Sequence, residues 1–163
     1  MIGFNVYKAP VFLLEKLNNV LRLLRHGKMQ YEQVATTVDD KDLRLSLLSL
    51  AQESNQYAGE LSSQIHTLGG APETEKTDKA ELGEDIKKIV DEKEVIIFCQ
   101  KNEKKMIRAY HEILNDSFLY EGLRKMIRYQ LNELLCAFMQ VKYLRAIKFH
   151  KENFIRMPRR ALL

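Results

Sequence analysis

Helix breakers are scarce in this chain. Of 163 residues, three are proline and seven glycine. Pro10, Pro72 and Pro158 all lie outside the segments whose apolar residues recur at helical spacing, and the glycines fall mostly at the ends of those segments. A proline inside a helix removes a hydrogen bond and clashes with the preceding turn, so this placement points to an all-α protein. No run of 18 apolar residues occurs, which argues against a membrane-spanning helix. The opening residues, MIGFNVYKAP, lack the charged-then-apolar pattern and small-residue cleavage site of a secretory signal. Cysteine is limited to Cys99 and Cys136, both inside predicted helices and without paired spacing. They read as buried thiols in a reducing compartment, and the expected location is the cytoplasm.

What is present fits one domain over residues 1–163, long enough to bury a core. The helical bundle is expected over 10–150, with an N-terminal arm at 1–9 and a basic tail at 151–163. Net charge is +4, but from Val141 to Leu163 seven Lys or Arg face one acid, Glu152, which leaves the rest of the chain mildly acidic.

Four apolar stripes order the chain. The first starts near Pro10, a residue suited to a first helical turn, and runs through Leu17, Leu24 and Tyr31 to Val38. Asp40 or Asp42 would cap the second, which carries Leu47, Ser54, Tyr57 and Leu61 and stops at Gly69 and Gly70. Residues 71–80 are polar, without apolar period, and read as a connection. The third stripe is expected from about Gly83, through Ile86, Ile89, Val90, Ile96, Gln100, Glu103, Met106 and Tyr110 to Leu114. After Asn115, Asp116 and Ser117, the fourth runs from about Phe118 to about Phe149. Two short turns and one longer link predict two antiparallel hairpins joined by a crossover. The hairpins resemble each other in layout, each first helix having a polar break, a tyrosine (Tyr31, Tyr110) and then a tight polar turn.

Metal and nucleophile motifs are missing. Four-helix di-iron proteins need a Glu on two helices and a Glu-x-x-His pair on the other two. Here Glu53 is followed three residues on by Gln56, Glu60 by Ser63, Glu103 by Met106 and Glu133 by Cys136. His26, His66, His111 and His150 are scattered over separate helices or helix ends. There is no phosphate-binding glycine loop, no Gly-x-Ser-x-Gly elbow and no zinc-type spacing.

The run from Leu24 to Tyr31, Leu-Arg-His-Gly-Lys-Met-Gln-Tyr, resembles a Leu-x-Asp-Gly-x-x-Gly-Tyr/Phe signature of small bacterial ferritin-like proteins. These are grouped as a domain of unknown function associated with stress. Further pieces are Leu50-Ala51-Gln52, Tyr57-Ala58, Glu60-Leu61, Leu68 to Pro72, Asn102-Glu103, Ala109-Tyr110 and Val141 to Arg145. The resemblance implies a ferritin-like four-helix bundle. It also departs from the pattern: Lys28 stands where relatives often carry an acid, and Phe138 where they often carry His, while Glu60 and Glu103 match.

These readings give a non-catalytic bundle acting through self-association, with a dimer as the expected oligomer, or through a protein partner, and with no cofactor. Its polar core layer would comprise Lys28, Glu103, Gln100, Ser54 and Gln130, with Lys28 paired to Glu103 if their helices are neighbours. The alternative is a His-free carboxylate site of Glu53, Glu60, Glu103 and Glu133 for iron or manganese, since oxygen ligands alone can hold such metals. A third reading places nucleic acid or an anionic membrane surface on Lys142, Arg145, Lys148, Lys151 and Arg156, interleaved with aromatic residues.

Overall fold

The computed structural model describes residues 8–74 and 91–156, with the backbone alone for 145 and 148–156. Four helices make up the described chain: α1 (Val11–Ala35), α2 (Lys41–Thr67), α3 (Glu92–Leu114) and α4 (Glu121–Arg156). The apolar stripes become one core, in which Leu17, Leu24, Leu47, Leu61, Ile113 and Phe138 are fully enclosed.

Local chemistry sets the helix ends. Pro10 stands immediately before α1, and its carbonyl accepts the N–H groups of Leu13 and Leu14. Of the two candidate caps for α2, Asp40 takes the position: its carboxylate accepts the Leu43 N–H at 2.9 Å. At the other end Gly69 adopts φ +80°, which a residue with a Cβ rarely tolerates. There the N–H of Gly70 reaches the Ile65 carbonyl and that of Gly69 the His66 carbonyl, the paired bonds of a Schellman stop.

Two expected boundaries move. The third helix starts at Glu92 rather than near Gly83, because Asp91 is extended and its side chain accepts the Glu94 N–H at 2.8 Å, which is N-cap geometry. Ile86, Ile89 and Val90 lie outside the described residues, as do Ile2, Phe4, Val6 and Tyr7 of the expected arm and the tail beyond Arg156. The fourth helix starts three residues later than expected, because Asp116 organises a turn first. Its carboxylate accepts the Phe118 N–H at 2.9 Å and meets Lys16 of α1 at the same distance. Burial alone would push the Asp116 carboxyl up, but the Lys16 ammonium, the Phe118 N–H and nearby Arg124 outweigh it and hold the group below its ordinary value.

Packing follows a ring in which α1 touches α2 and α3, and α4 touches α2 and α3. Lys16 meets Asp116 near one end of the α1–α3 pair, and Tyr31 meets Phe98 and Asn102 near the other, so these helices are antiparallel. Tyr57 against Tyr129 and Gln64 against Tyr120 make α2 and α4 antiparallel as well. The chain therefore runs up, down, down, up, and the link from α2 to α3 must return along the bundle. Its first residues do so on α1: Asn18 donates to the Ala71 carbonyl at 3.1 Å and accepts the Glu73 N–H at 2.9 Å, while Arg25 donates to the Glu73 carbonyl. No helix among the described residues is long and apolar enough to cross a membrane.

Candidate functional site

Two polar clusters interrupt the apolar interior, one on each side of the bundle. Between α1 and α3, Asn102 donates to Gln30 Oε1 at 3.2 Å and to the Tyr31 hydroxyl oxygen at 3.3 Å. All three side chains are buried, and the Tyr31 ring is held edge-on by Phe98 of α3 and Phe138 of α4. Burial pushes the Tyr31 hydroxyl far above the ordinary phenol range, with the Asn102 hydrogen bond opposing and nearby Cys99 and Glu103 adding to the rise. Tyr31 therefore stays protonated. Sequence reasoning missed Gln30 and Asn102 as interior groups, although each sits one position from a residue it named.

Between α2, α3 and α4 the second cluster centres on Gln130. Its Oε1 accepts the Tyr110 hydroxyl at 3.0 Å, and its Nε2 donates to Glu60 Oε2 at 3.0 Å. Tyr110 is fully buried and its hydroxyl is likewise raised by burial, then by Tyr57 and Glu60. The two tyrosines singled out by the hairpin layout thus occupy comparable roles, each reaching an interior side-chain amide. Ser54 is also enclosed, but it turns back on its own helix and donates to the Leu50 carbonyl at 2.8 Å.

Carboxylates gather beside this second cluster. Glu53 is raised above its ordinary value, first by burial and then by the charge of Glu133 on α4. Its Oε2 is enclosed with no hydrogen-bond donor among the described residues. Tyr57 is also raised, by burial first, then by Glu53, Tyr129, Glu133 and Glu60. Glu53, Glu60 and Glu133 thus share one region around Tyr57. Glu103 does not join them: it lies on α3 and its Oε2 is 2.6 Å from the Lys142 ammonium of α4. No group of three or more His, Cys, Asp or Glu among the described residues has the arrangement to hold a metal ion.

The expected polar layer is therefore rearranged. Lys28 does not meet Glu103. It pairs instead with Glu32 one turn along its own helix, at 3.4 Å, and both side chains remain substantially exposed. The α3 face that meets α1 carries Phe98 and Asn102, and one residue further round a helix turns a side chain by about 100°. That rotation takes Glu103 to α4. Gln100 is exposed for the same reason, since the interior positions beside it are Cys99 and Asn102.

The two thiols differ. Cys99 is buried and pushed up to about 12, by burial and then by Glu103, which makes it a poor nucleophile. Cys136, expected to be buried, is exposed, because Leu134, Ala137 and Phe138 take the inward positions of that turn. Of the basic C-terminal set, Lys142 is engaged by Glu103. Arg145, Lys148, Lys151 and Arg156 lie on the α4 backbone, with side chains outside the described ones.

Comparison with known proteins gives two findings. The model of a family described as a domain of unknown function, DUF2383, matches residues 13–116. Among solved structures, the chain is similar to a dodecameric thioferritin, the bacterioferritin-related protein from Bacteroides fragilis. The identity is 22% over 89% of this chain and 91% of that one, with a TM-score of 0.74. At that identity the likeness is one of fold. No curated protein matches the chain.

Proposed function

Because the chain belongs to the family of the domain of unknown function DUF2383 and has a ferritin-like four-helix fold, we propose that it is a non-catalytic bundle that acts through self-association. The observation that carries this reading is an exposed stripe on the outer face of α4. Tyr129, Cys136 and Tyr143 recur every seven residues with Met139 between them, and all four face solvent. Tyrosine and methionine are enriched where proteins meet, and a heptad-spaced stripe suits a helix lying along another helix. The solved neighbour named above is itself a dodecamer.

A ferritin-like frame implies a di-iron centre, and the donor set here does not fit one. Such a centre draws Glu and Glu-x-x-His from the facing helices. Among the described residues the buried polar side chains are Gln30, Asn102, Ser54, Gln130 and Asp116, the last paired with Lys16, and no Glu in the sequence is followed three residues later by His. The amides and phenols are largely spent on one another.

Sedimentation velocity over a range of concentrations tests the reading. The expected result is a discrete closed oligomer, a dimer or a multiple of one, that Met139→Lys with Tyr143→Lys drives toward monomer. A wild-type chain that stays monomeric at every concentration overturns it.

A second reading rests on Glu53. A buried carboxylate oxygen without a donor, beside Glu133, supports a two-carboxylate oxygen-ligand site for iron or manganese at Glu53 and Glu133, with Glu60 held by Gln130. Elemental analysis after growth with those metals separates the two. Stoichiometric metal that disappears in Glu53→Gln/Glu133→Gln favours the second reading, and a metal-free wild type excludes it.

A further inference from the structure

Lys101, Lys104, Lys105 and Arg108 follow one another on α3 at i, i+3, i+4 and i+7, and all four are exposed. Like charges three and four apart repel and weaken the helix that carries them. Four cations elsewhere, Lys16, Lys28, Arg124 and Lys142, each lie within ion-pair distance of a carboxylate. Among the described residues no acid does this for the α3 stripe, so α3 bears a repulsion that its own fold does not relieve.

The stripe also has a shape to work with. Lys104, Lys105 and Arg108 form one wall of a groove of about 230 Å³, and Asn19 and Leu23 of α1 form the other. Glu112, one turn beyond Arg108, lines the groove as well, and sets its acidic limit. Asn19 accepts a hydrogen bond from Arg22 Nη2 at 2.6 Å, which leaves its own amide N–H₂ to donate and brings a further guanidinium to the rim.

We propose that the α1–α3 groove binds the phosphate chain of a small, multiply charged phosphorylated anion, for which inorganic triphosphate is the minimal form. Within the groove Lys104 and Arg108 stand four residues apart, about 6 Å along the axis, with Lys101 one turn before Lys104, so the positive charge is spread in a line rather than gathered at a point. A linear run of phosphoryl groups matches that line better than a single phosphate does. The groove volume falls below the roughly 300–1,000 Å³ of pockets that enclose a whole organic ligand. It therefore holds the charged chain and leaves any organic remainder outside. Lysines act on phosphate as mobile point charges.

Isothermal titration of the full chain with sodium triphosphate, at low and at high salt, tests the assignment. Lys104→Gln/Arg108→Gln removes two groove cations, while Lys125→Gln/Arg128→Gln removes two equally exposed cations of α4 and changes net charge by the same amount. Glutamine suits a helix interior, and the groove variant relieves repulsion, so its melting temperature should equal or exceed that of the wild type. Saturable triphosphate binding is expected, weakened about tenfold or more in the groove variant and by less than about twofold in the control. Absence of saturable binding at low salt overturns the proposal, as does equal weakening in both variants, which would mark a general charge effect. Binding of single-stranded oligonucleotide through these cations without binding of triphosphate overturns it too.

Discussion

Gly27 and Tyr31 stand one turn apart on α1, and the glycine exists for the tyrosine. A Cβ at Gly27 would lie 3.1 Å from the Tyr31 ring. That ring has nowhere to go, with Phe98 and Phe138 edge-on against it and Asn102 at its hydroxyl. Alanine would otherwise favour a mid-helix site by about 1 kcal/mol. Overpacking costs roughly 1–3 kcal/mol, so Gly27→Ala is expected to lower stability by about 1 kcal/mol in urea unfolding, against its helix propensity. Glu53 carries the opposite kind of strain. Its carboxyl is raised above the ordinary 4.5 in the folded state, so the folded chain holds that proton more tightly than the unfolded chain does. Ionising it therefore costs stability, and the cost grows as pH rises from 4.5 through the folded value. Glu53→Gln should raise the melting temperature at neutral pH and give no advantage below 4.5, which a thermal pH series reads directly.

At the scale of elements, the two tyrosine–amide contacts differ in what their loss exposes. Removing the Tyr110 hydroxyl leaves the buried Gln130 Oε1 without that donor, and an orphaned acceptor costs about 1–3 kcal/mol. Removing the Tyr31 hydroxyl still leaves Asn102 its bond to Gln30. Tyr110→Phe is therefore expected to destabilise more than Tyr31→Phe, and equal losses in chemical unfolding would contradict this. The same elements show what the sequence could and could not convey. Periodicity revealed the helices because burial of a stripe repeats every turn, and Gly69 was legible as a stop because only its backbone freedom permits the φ there. The polar interior was less legible. Ser54 and Gln130 lie on their stripes and are enclosed, and the Glu103 carboxylate is largely covered but faces Lys142, whereas Lys28 and Gln100 stay outward and Gln30 and Asn102 take the interior. One residue is about 100° of rotation, and the hydrophobic pattern alone tolerates that slip at the edge of a stripe. Which helix a carboxylate meets depends on the packing of all four, so the pairing of Glu103 with Lys142 had no local signal.

For the whole molecule, the up-down-down-up order places its most distant connection on the surface of its first helix. Each hairpin is closed by a short turn, so its contacts are near in sequence. The link between hairpins is instead tied down by Asn18 and Arg25, more than 45 residues from the carbonyls they hold. Contacts of long sequence separation carry a larger loop-closure cost and tend to form late. Fastening of the crossover to α1 is thus expected after the rate-limiting barrier for folding. Substituting Asn18→Ala should then accelerate unfolding while leaving the refolding limb of a stopped-flow chevron unchanged. The surface clasp would act as a brake on opening, setting how long the bundle stays closed rather than how quickly it forms.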